Sequence, residues 1–498
     1  LGPVILAEQR GGPAGEGQPV GQGLGTPKSP LILSSFPAPP FLECLDTLLA
    51  RHPQARRLVI GYSGGLDSQV LLHGLATHRG RWPERTLAAI YVDHGLQTAS
   101  AAWGEHCGEV CHALDIPFRA LRVDARPEPG ESPEAAARRA RYAALAAELE
   151  LDTALLTAHH RDDQAETLLL QLLRGAGPHG LAAMPLAARL GRGWLLRPLL
   201  AVDRADLLAY AQAHQLRWIE DASNTDPGFD RNYLRHRVLP LLRERWPAAN
   251  RALARSARWC AEAAAWFDLE ATVDLARIGT DRPDGLHLPA LRELGAIRQR
   301  NLLRYWLRQL GLPIPDHRQL EHVLRDGLTA RHDRQPRIHW PGGEIRRYRD
   351  TLYAMSPLAP HDAHRHFVWR AGANGYPPLE LPGIGELALR ETSGAGLRAT
   401  VLAGGELIVR FRQGGERFRP AGRRHGQELK KLWQEAGVPP WERDRLPLLY
   451  RTIQEEGKTG AELVAVVGLG VAAETGAAPG ELGWEPVFRP CGSNSGEP

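Results

Sequence analysis

"VIGYSGGLDSQVLLHGL", residues 59–75, packs Ser63, Gly64, Gly65, Asp67 and Ser68 between two apolar runs. A smooth strand-to-helix turn needs no such density of polar groups. Glycines let backbone N–H groups face an anion, and a helix N-terminus adds its partial positive charge. Ser63 and Ser68 supply hydroxyl donors. Asp67 cannot bind phosphate directly, so a carboxylate here points to a bridging Mg2+. The stretch lacks the Lys of a Walker loop and is more compact than GxGxxG. A plain Gly-rich turn, with Asp and Ser as ordinary helix caps, is the simpler alternative. Two serines and an aspartate between a hydrophobic strand and "QVLLHGL" favour an anion-binding loop.

Outward from the loop, "LVIGY", "LAAIYV", "FRALRV" and "ALLTA" read as buried strands, with helical patterns between them. The clearest helix is "SPEAAARRARYAALAAELE", whose Ala and Leu recur on one face. Such alternation predicts an α/β fold with a parallel sheet covered on both faces. Ligands bind such sheets at the carboxyl ends of the strands. "SGGLDS", "DHGL" and "AHHRDDQAET" therefore belong around one crevice. This catalytic domain is expected over residues 39–245. Two amphipathic helices after Trp246, with no strands between them, predict a helical middle domain over 246–370. Short strands, glycines and a basic run then predict a small mixed α+β domain over 371–498.

At 498 residues the chain is too long for one ordinary core. No run of about 18 apolar residues could span a bilayer, so no membrane partner is expected. Residues 1–38 are rich in Gly and Pro and read as a disordered leader, not a secretory signal. Five scattered cysteines form no disulfide framework, which fits a reducing cytoplasm. Cys107 and Cys111, spaced i, i+4, are expected as buried core thiols. The net charge is only +4 and the pI about 8.9, so any polyanion site depends on local arginine clusters.

Three further stretches carry chemistry. "TAHHRDDQAETLLLQLLRGAG" holds His159, Asp163 and Glu166 at i, i+4 and i+7, predicting one helix face beyond the fourth strand. Acids at a helix start also serve as caps. Two carboxylates can equally hold a cationic amine, with a neighbouring His against a reacting phosphate. "EDASNTDPGFDRNYLRHRVLP" crowds Asp, Asn, Arg and aromatic groups, as a substrate-facing loop or a polar hinge would. "LKKLWQEAGVPPWERDRLPLL" combines Lys430 and Lys431 with Trp433 and Trp441. That suits RNA backbone contact with stacking, and equally a solvated lysine face over core tryptophans.

"SGGLDS" resembles the pyrophosphate loop of the N-type ATP pyrophosphatases, with their adenine-nucleotide α-hydrolase (PP-loop) sheet. "VDHGL", "ARRARYAAL", "HHRDDQAET", "RPLL", "EDASNTDPGFDRNYLR" and "KKLWQEAGVPPWERD" together resemble the bacterial tRNA(Ile)-lysidine synthetases in their three-domain form. The likeness runs from about Phe41 nearly to the end.

The resemblance implies a ligase that uses ATP and Mg2+ to join free L-lysine to the wobble cytidine of the CAU-anticodon isoleucine tRNA. An adenylated base is the intermediate. It further implies nucleotide binding by Ser63, Gly64, Gly65, Leu66, Asp67, Ser68, His94 and Arg141, with Asp67 on the metal. Arg138 or Arg141 is the cationic clamp, unless both are solvated helix charges. His159 would contact the α-phosphate, and Asp163 and Glu166 would orient the lysine amine. The tRNA would meet Asn224, Arg231, Asn232, Arg235, Lys430, Lys431 and Trp441. A homodimer is left open. A tRNA thiolase shares the loop, but this chain has no CxxC. An amidotransferase ligase would bring a glutaminase nucleophile, for which neither Cys44 nor Cys260 has the context. A non-catalytic RNA-binding protein has no need of Asp67, His159, Asp163 and Glu166 together.

Overall fold

The computed structural model describes residues 39, 41–95, 100–127, 132–221, 226–329, 335–455 and 458–491. The chain forms two compact units that divide between Glu262 and Ala263, inside the long helix Ala249–Ile278.

In the first unit, helix α1 (Phe41–Arg51) precedes strand β1 (Arg57–Gly61), helix α2 (Leu66–Thr77) and strand β2 (Thr86–Asp93). Helix α3 (Ser100–Ala113), strand β3 (Phe118–Arg122), helix α4 (Pro133–Ala147), strand β4 (Thr153–Leu156) and helix α5 (Arg161–Leu173) follow. Strands β5 (Ala187–Leu190) and β6 (Gly193–Leu196) complete one sheet in the order β3-β2-β1-β4-β6-β5. All neighbours are parallel except the β5–β6 edge hairpin.

The strand pattern explains the layers. Leu58, Ile60 and Leu156 point into a core built with Phe41, Leu42 and Leu45 of α1 and Val70 to Leu72 of α2. Val59 and Leu155 point the other way, onto Leu145 and Leu149. Alternate residues of one strand thus serve opposite cores, and burying each such side chain is worth about 1.5–3 kcal/mol. The strand "FRALRV" is not buried: β3 lies at the sheet edge and is half exposed. Cys107 and Cys111 are fully buried, and burial pushes both thiols up to about 12.

The strand order reverses between β1 and β4. Connections leave these neighbours in opposite directions, opening a crevice beyond their carboxyl ends. The Ser63–Ser68 loop follows β1 and the His159–Glu166 segment follows β4, so topology alone brings them together.

The second unit corrects the expectation of a purely helical middle. Its helices, including Ala296–Gln309, pack on an antiparallel sheet ordered Gly285–His287, Thr351–Met355, Gly343–Tyr348, Arg337–Trp340. Ile338 and Trp340, then Ile345 and Leu352, face the helices from short strands. Runs of four to six residues carry too few alternations to outweigh the stronger helical periodicity around them. Further on lie a five-stranded and a four-stranded sheet, both antiparallel in every pairing. Helix Leu429–Glu435 buries Leu429, Leu432 and Trp433 and exposes Lys430 and Lys431. Among the described residues, no helix is long and apolar enough to cross a membrane.

Candidate active site

The loop after β1 is shaped by close approach. Gly64 has φ +78°, and a Cβ there would lie 2.5 Å from Ile219 Cδ1 and 3.0 Å from Cys107 Sγ. Its carbonyl accepts a hydrogen bond from the Ile219 amide at 2.9 Å. Only glycine meets both demands. Ser68 Oγ donates to the Gly65 carbonyl at 3.0 Å, accepts from the Ser63 amide at 3.3 Å and lies 3.2 Å from Ser63 Oγ. Helix α2 begins at Leu66, so its first amides, which lack intrahelical partners, open at this loop.

Around the loop lies a cleft of about 1740 Å³. Its walls include Ser63, Gly65, Leu66, Asp67, Ser68, His94, Arg138, Arg141, His159, Asp163 and Glu166. Arg231, Asn232 and Arg235 line it too. These last come from a helical run over 230–245, whose Leu234–Val238 turn is π-helical just ahead of Pro240. Proline has no N–H for the ordinary bond, and the wider turn accommodates it.

Electrostatics sort these groups. Glu166 is fully buried; Arg231 Nε donates to its Oε2 at 2.8 Å and Arg235 Nε to its Oε1 at 2.6 Å. Arg235 also reaches Asp163 Oδ1 at 3.0 Å, and Arg231 does so at 3.5 Å. Burial opposes ionisation of Asp163, but His160, Arg231 and His159 outweigh it and hold the carboxyl below its usual range. Burial, reinforced by Arg197, Arg231 and Arg138, keeps His159 far below the ordinary histidine range despite Asp163. His159 Nδ1 lies 2.9 Å from the Thr157 hydroxyl. His94 is likewise lowered, by burial and then by Arg141. Arg141 is lowered by burial, and its Nε has no hydrogen-bond partner among the described residues.

Three regions match family models: residues 40–242 a PP-loop domain, 286–353 a TilS substrate binding domain, and 407–488 a TilS substrate C-terminal domain. The chain is 44% identical over 432 residues to the tRNA(Ile)-lysidine synthase of Coxiella burnetii, covering 86% of this chain and 93% of that one. The chain belongs to the tRNA(Ile)-lysidine synthase family. The synthase of Methylococcus capsulatus is 47% identical over 406 residues, covering 81% and 91% of the two chains. That of Alkalilimnicola ehrlichii is 44% identical over 448 residues, covering 89% and 97%. The chain is therefore an enzyme of this family with an ATP-binding PP-loop domain.

Placed in this lysidine synthase member, the sequence expectations divide. His159 is not on the helix face of Asp163 and Glu166, because α5 begins only at Arg161. Extended backbone at His160 separates them, yet the cleft still reunites the three. Asp163 and Glu166 do not stand open for an amine, since arginines hold both. Arg231 and Arg235, expected at tRNA, are the groups that hold them. Asn232 is buried and donates to the Asp226 carbonyl at 2.9 Å, bracing its own turn. Asn224 lies outside the described residues. Arg138 is exposed at the cleft with its guanidinium 5.0 Å from the Tyr142 ring centre.

Trp441 is half-buried in the second unit, edge-on to Tyr348 and Tyr353, with Arg346 over its ring. Those contacts occupy an indole that the sequence reading offered to RNA.

The sequence reading passed over His160, whose ring is 1% exposed between Asp67 and Asp163. Burial pulls its pKa down, but the hydrogen bond it donates to Asp67 and the charges of Asp163, Asp67 and Asp162 leave it raised. Its only sequence signal was the doubled histidine of "AHHRDD". Arg197 of "RPLL" was also missed. It is buried, donates to the Pro185 carbonyl at 2.7 Å, and bears on His159 through its charge.

Among the described residues of the cleft, Asp67 offers a donor that fits a divalent cation. Asp67 Oδ1 is buried without a hydrogen-bond partner, and Arg204 Nε lies 4.0 Å away. No group of three or more His, Cys, Asp or Glu among the described residues could hold a metal alone. The lone Asp67 oxygen fits the donor set of Mg2+, which keeps waters and phosphate oxygens beside one or two carboxylates.

Proposed function

We propose that the protein ligates L-lysine to the wobble cytidine of the CAU-anticodon isoleucine tRNA in two steps within this cleft. The 2-carbonyl oxygen of cytosine attacks the α-phosphorus of ATP, and the bond to the β-phosphate oxygen breaks, releasing pyrophosphate. The lysine ε-ammonium gives one proton to a neighbouring carboxylate, the free amine attacks C2, the C2–O bond breaks, AMP leaves with that oxygen, and the added nitrogen loses its second proton to solvent. The pairing preference of the anticodon changes from G to A, and with it the amino acid from Met to Ile.

One observation carries this reading. A glycine loop opening on a helix N-terminus, Arg141 with its Nε unpartnered among the described residues, and a carboxylate pair held by arginines line the same cleft of a lysidine synthase family member. The Ser63–Ser68 amides and hydroxyls would cradle pyrophosphate, with Arg141 and the more exposed Arg138 meeting its charge. His159, kept neutral, would lie against the α-phosphate without adding another cation. Asp67 would hold Mg2+, which supplies charge neutralisation to the leaving pyrophosphate. The lysine ammonium would exchange with a guanidinium at Asp163 and Glu166, one fixed cation for another. Freed, Arg231 and Arg235 would be near the anionic anticodon loop. Lys430 and Lys431 would contact tRNA phosphates from the second unit. The reaction would take place in the cytoplasm, where its tRNA is.

The test is nucleoside mass spectrometry of the isoleucine tRNA after incubation with protein, ATP, Mg2+ and lysine. Conversion of one cytidine to lysidine, with equimolar pyrophosphate, is expected. Pyrophosphate without the new nucleoside would leave the loop assignment standing and overturn the nucleophile.

A further inference from the structure

His160 is absent from the roles above, yet it touches both half-reactions. Its Nε2 lies 3.5 Å from Asp67 Oδ2 and 3.5 Å from Asp163 Oδ2. Its backbone amide donates to that same Asp163 oxygen at 3.0 Å. The carboxylates come from different elements, the first turn of helix α2 after β1 and helix α5 after β4, on the two sides of the strand-order reversal. The ring is buried and does not line the cleft.

The contacts fall on one oxygen of each carboxylate. Asp67 turns Oδ2 to the imidazole and keeps Oδ1 without a hydrogen-bond partner. Asp163 turns Oδ2 to the imidazole and gives Oδ1 to Arg231 and Arg235. Two carboxylates this close repel unless a donor sits between them. A side chain that fixes one oxygen of each also fixes where the other oxygen points.

We propose that His160 is a positioning residue that braces Asp67 toward the pyrophosphate side and Asp163 toward the amine side at once. Adenylation and lysine transfer thereby share one mechanical support, a claim that rests on the functional reading above. Gln is the informative replacement, because its amide nitrogen carries two N–H donors for the two carboxylates.

The experiment uses full-length His160→Ala and His160→Gln with the isoleucine tRNA. Pyrophosphate release is measured against Mg2+ concentration, and lysine transfer against lysine concentration. In His160→Ala, half-maximal Mg2+ and the KM for lysine should both rise, each about 10- to 100-fold, as loss of a supporting contact does. The Kd for tRNA should stay within about twofold, since phosphate contacts set it, and His160→Gln should recover most of both effects. If only one of the two parameters moves, or neither does, the shared support is wrong. Loss of tRNA binding and of unfolding midpoint in parallel, with no rescue by Gln, would make His160 a folding residue and overturn the proposal as well. If the unaltered protein released pyrophosphate but attached no lysine, the functional reading would fail separately, and the Mg2+ arm would still decide the link to Asp67.

Discussion

Glu166 in the first unit and Glu344 in the second are the same device in different settings. Each is a fully buried carboxylate held by two arginines: Arg231 and Arg235 for one, Arg337 and Arg346 for the other. The Glu344 group is local, since Arg337 pairs with Arg346 in register on neighbouring strands. Its distances, 2.7 Å to Arg337 Nε and 2.7 Å to Arg346 Nη2, are as short as those at Glu166. Glu166 differs in position. It stands beyond the strand-order reversal, lines the cleft with both its arginines, and shares them with Asp163. A buried arginine–carboxylate cluster is therefore not in itself a site; what sets Glu166 apart is the crevice that the topology opens beside it.

The largest effect that could break this comparison comes from removing the two charges. Glu166→Gln and Glu344→Gln should each destabilise their own unit by roughly 2–4 kcal/mol, because the arginines lose a buried partner but keep some solvent. Denaturant unfolding would read both. Only Glu166→Gln should also cut lysine transfer, by about 100-fold or more, as loss of a group that meets the reacting amine does. Equal losses of transfer in both variants would erase the distinction.

Next is the loop. Gly64→Ala forces a side chain into the left-handed region and against Ile219, costing about 1–3 kcal/mol. Pyrophosphate release should fall at least about tenfold, and Gly311→Ala in the second unit, at φ +69° with nothing near its Cβ, should cost less and leave catalysis intact.

The first unit should also respond to pH through His73. Burial, with His214 and His78 nearby, pulls His73 down to about 4, and its Nδ1 lies 3.0 Å from Tyr210 Oη. A base neutral when folded takes up a proton on unfolding. Its stabilisation is thus complete above about 6.5 and fades as pH falls toward the folded value. The Tm of the first unit should drop between about pH 6.5 and about pH 4, and the slope should flatten in His73→Gln. An unchanged slope would place the acid sensitivity elsewhere.

The smallest effect belongs to the exposed pair Arg390–Glu485, where Glu485→Gln should cost under about 1 kcal/mol. The double change Lys430→Ala with Lys431→Ala should leave stability alone, weaken tRNA binding and flatten its salt dependence. Unchanged binding would return both lysines to an ordinary solvated face.

What the sequence disclosed follows from how local each signal was. "VIGYSGGLDS" carried strand, turn and helix start within a few residues, so the loop and its place at a strand end were legible. Asp163 and Glu166 were legible as a carboxylate pair, because one helix holds both. Their partners were not: Arg231 and Arg235 lie more than sixty residues away, and no spacing links them. His160 was hidden by its neighbour, since nothing in "HH" tells which ring faces the cleft and which lies behind it. The middle sheet was missed because its strands are too short to show their period beside long amphipathic helices. Trp433 and Trp441 looked alike in composition; only packing distinguishes a core indole from one clasped by Tyr348, Tyr353 and Arg346.

The most direct measurement is incorporation of radiolabelled lysine into acid-precipitable tRNA by the purified protein with ATP and Mg2+. The CAU-anticodon isoleucine tRNA and the methionine tRNA of the same anticodon are compared. Label in the first alone, and only with ATP, is the result expected. Label in neither, or equally in both, would contradict the assignment of this cleft to wobble-cytidine lysine ligation.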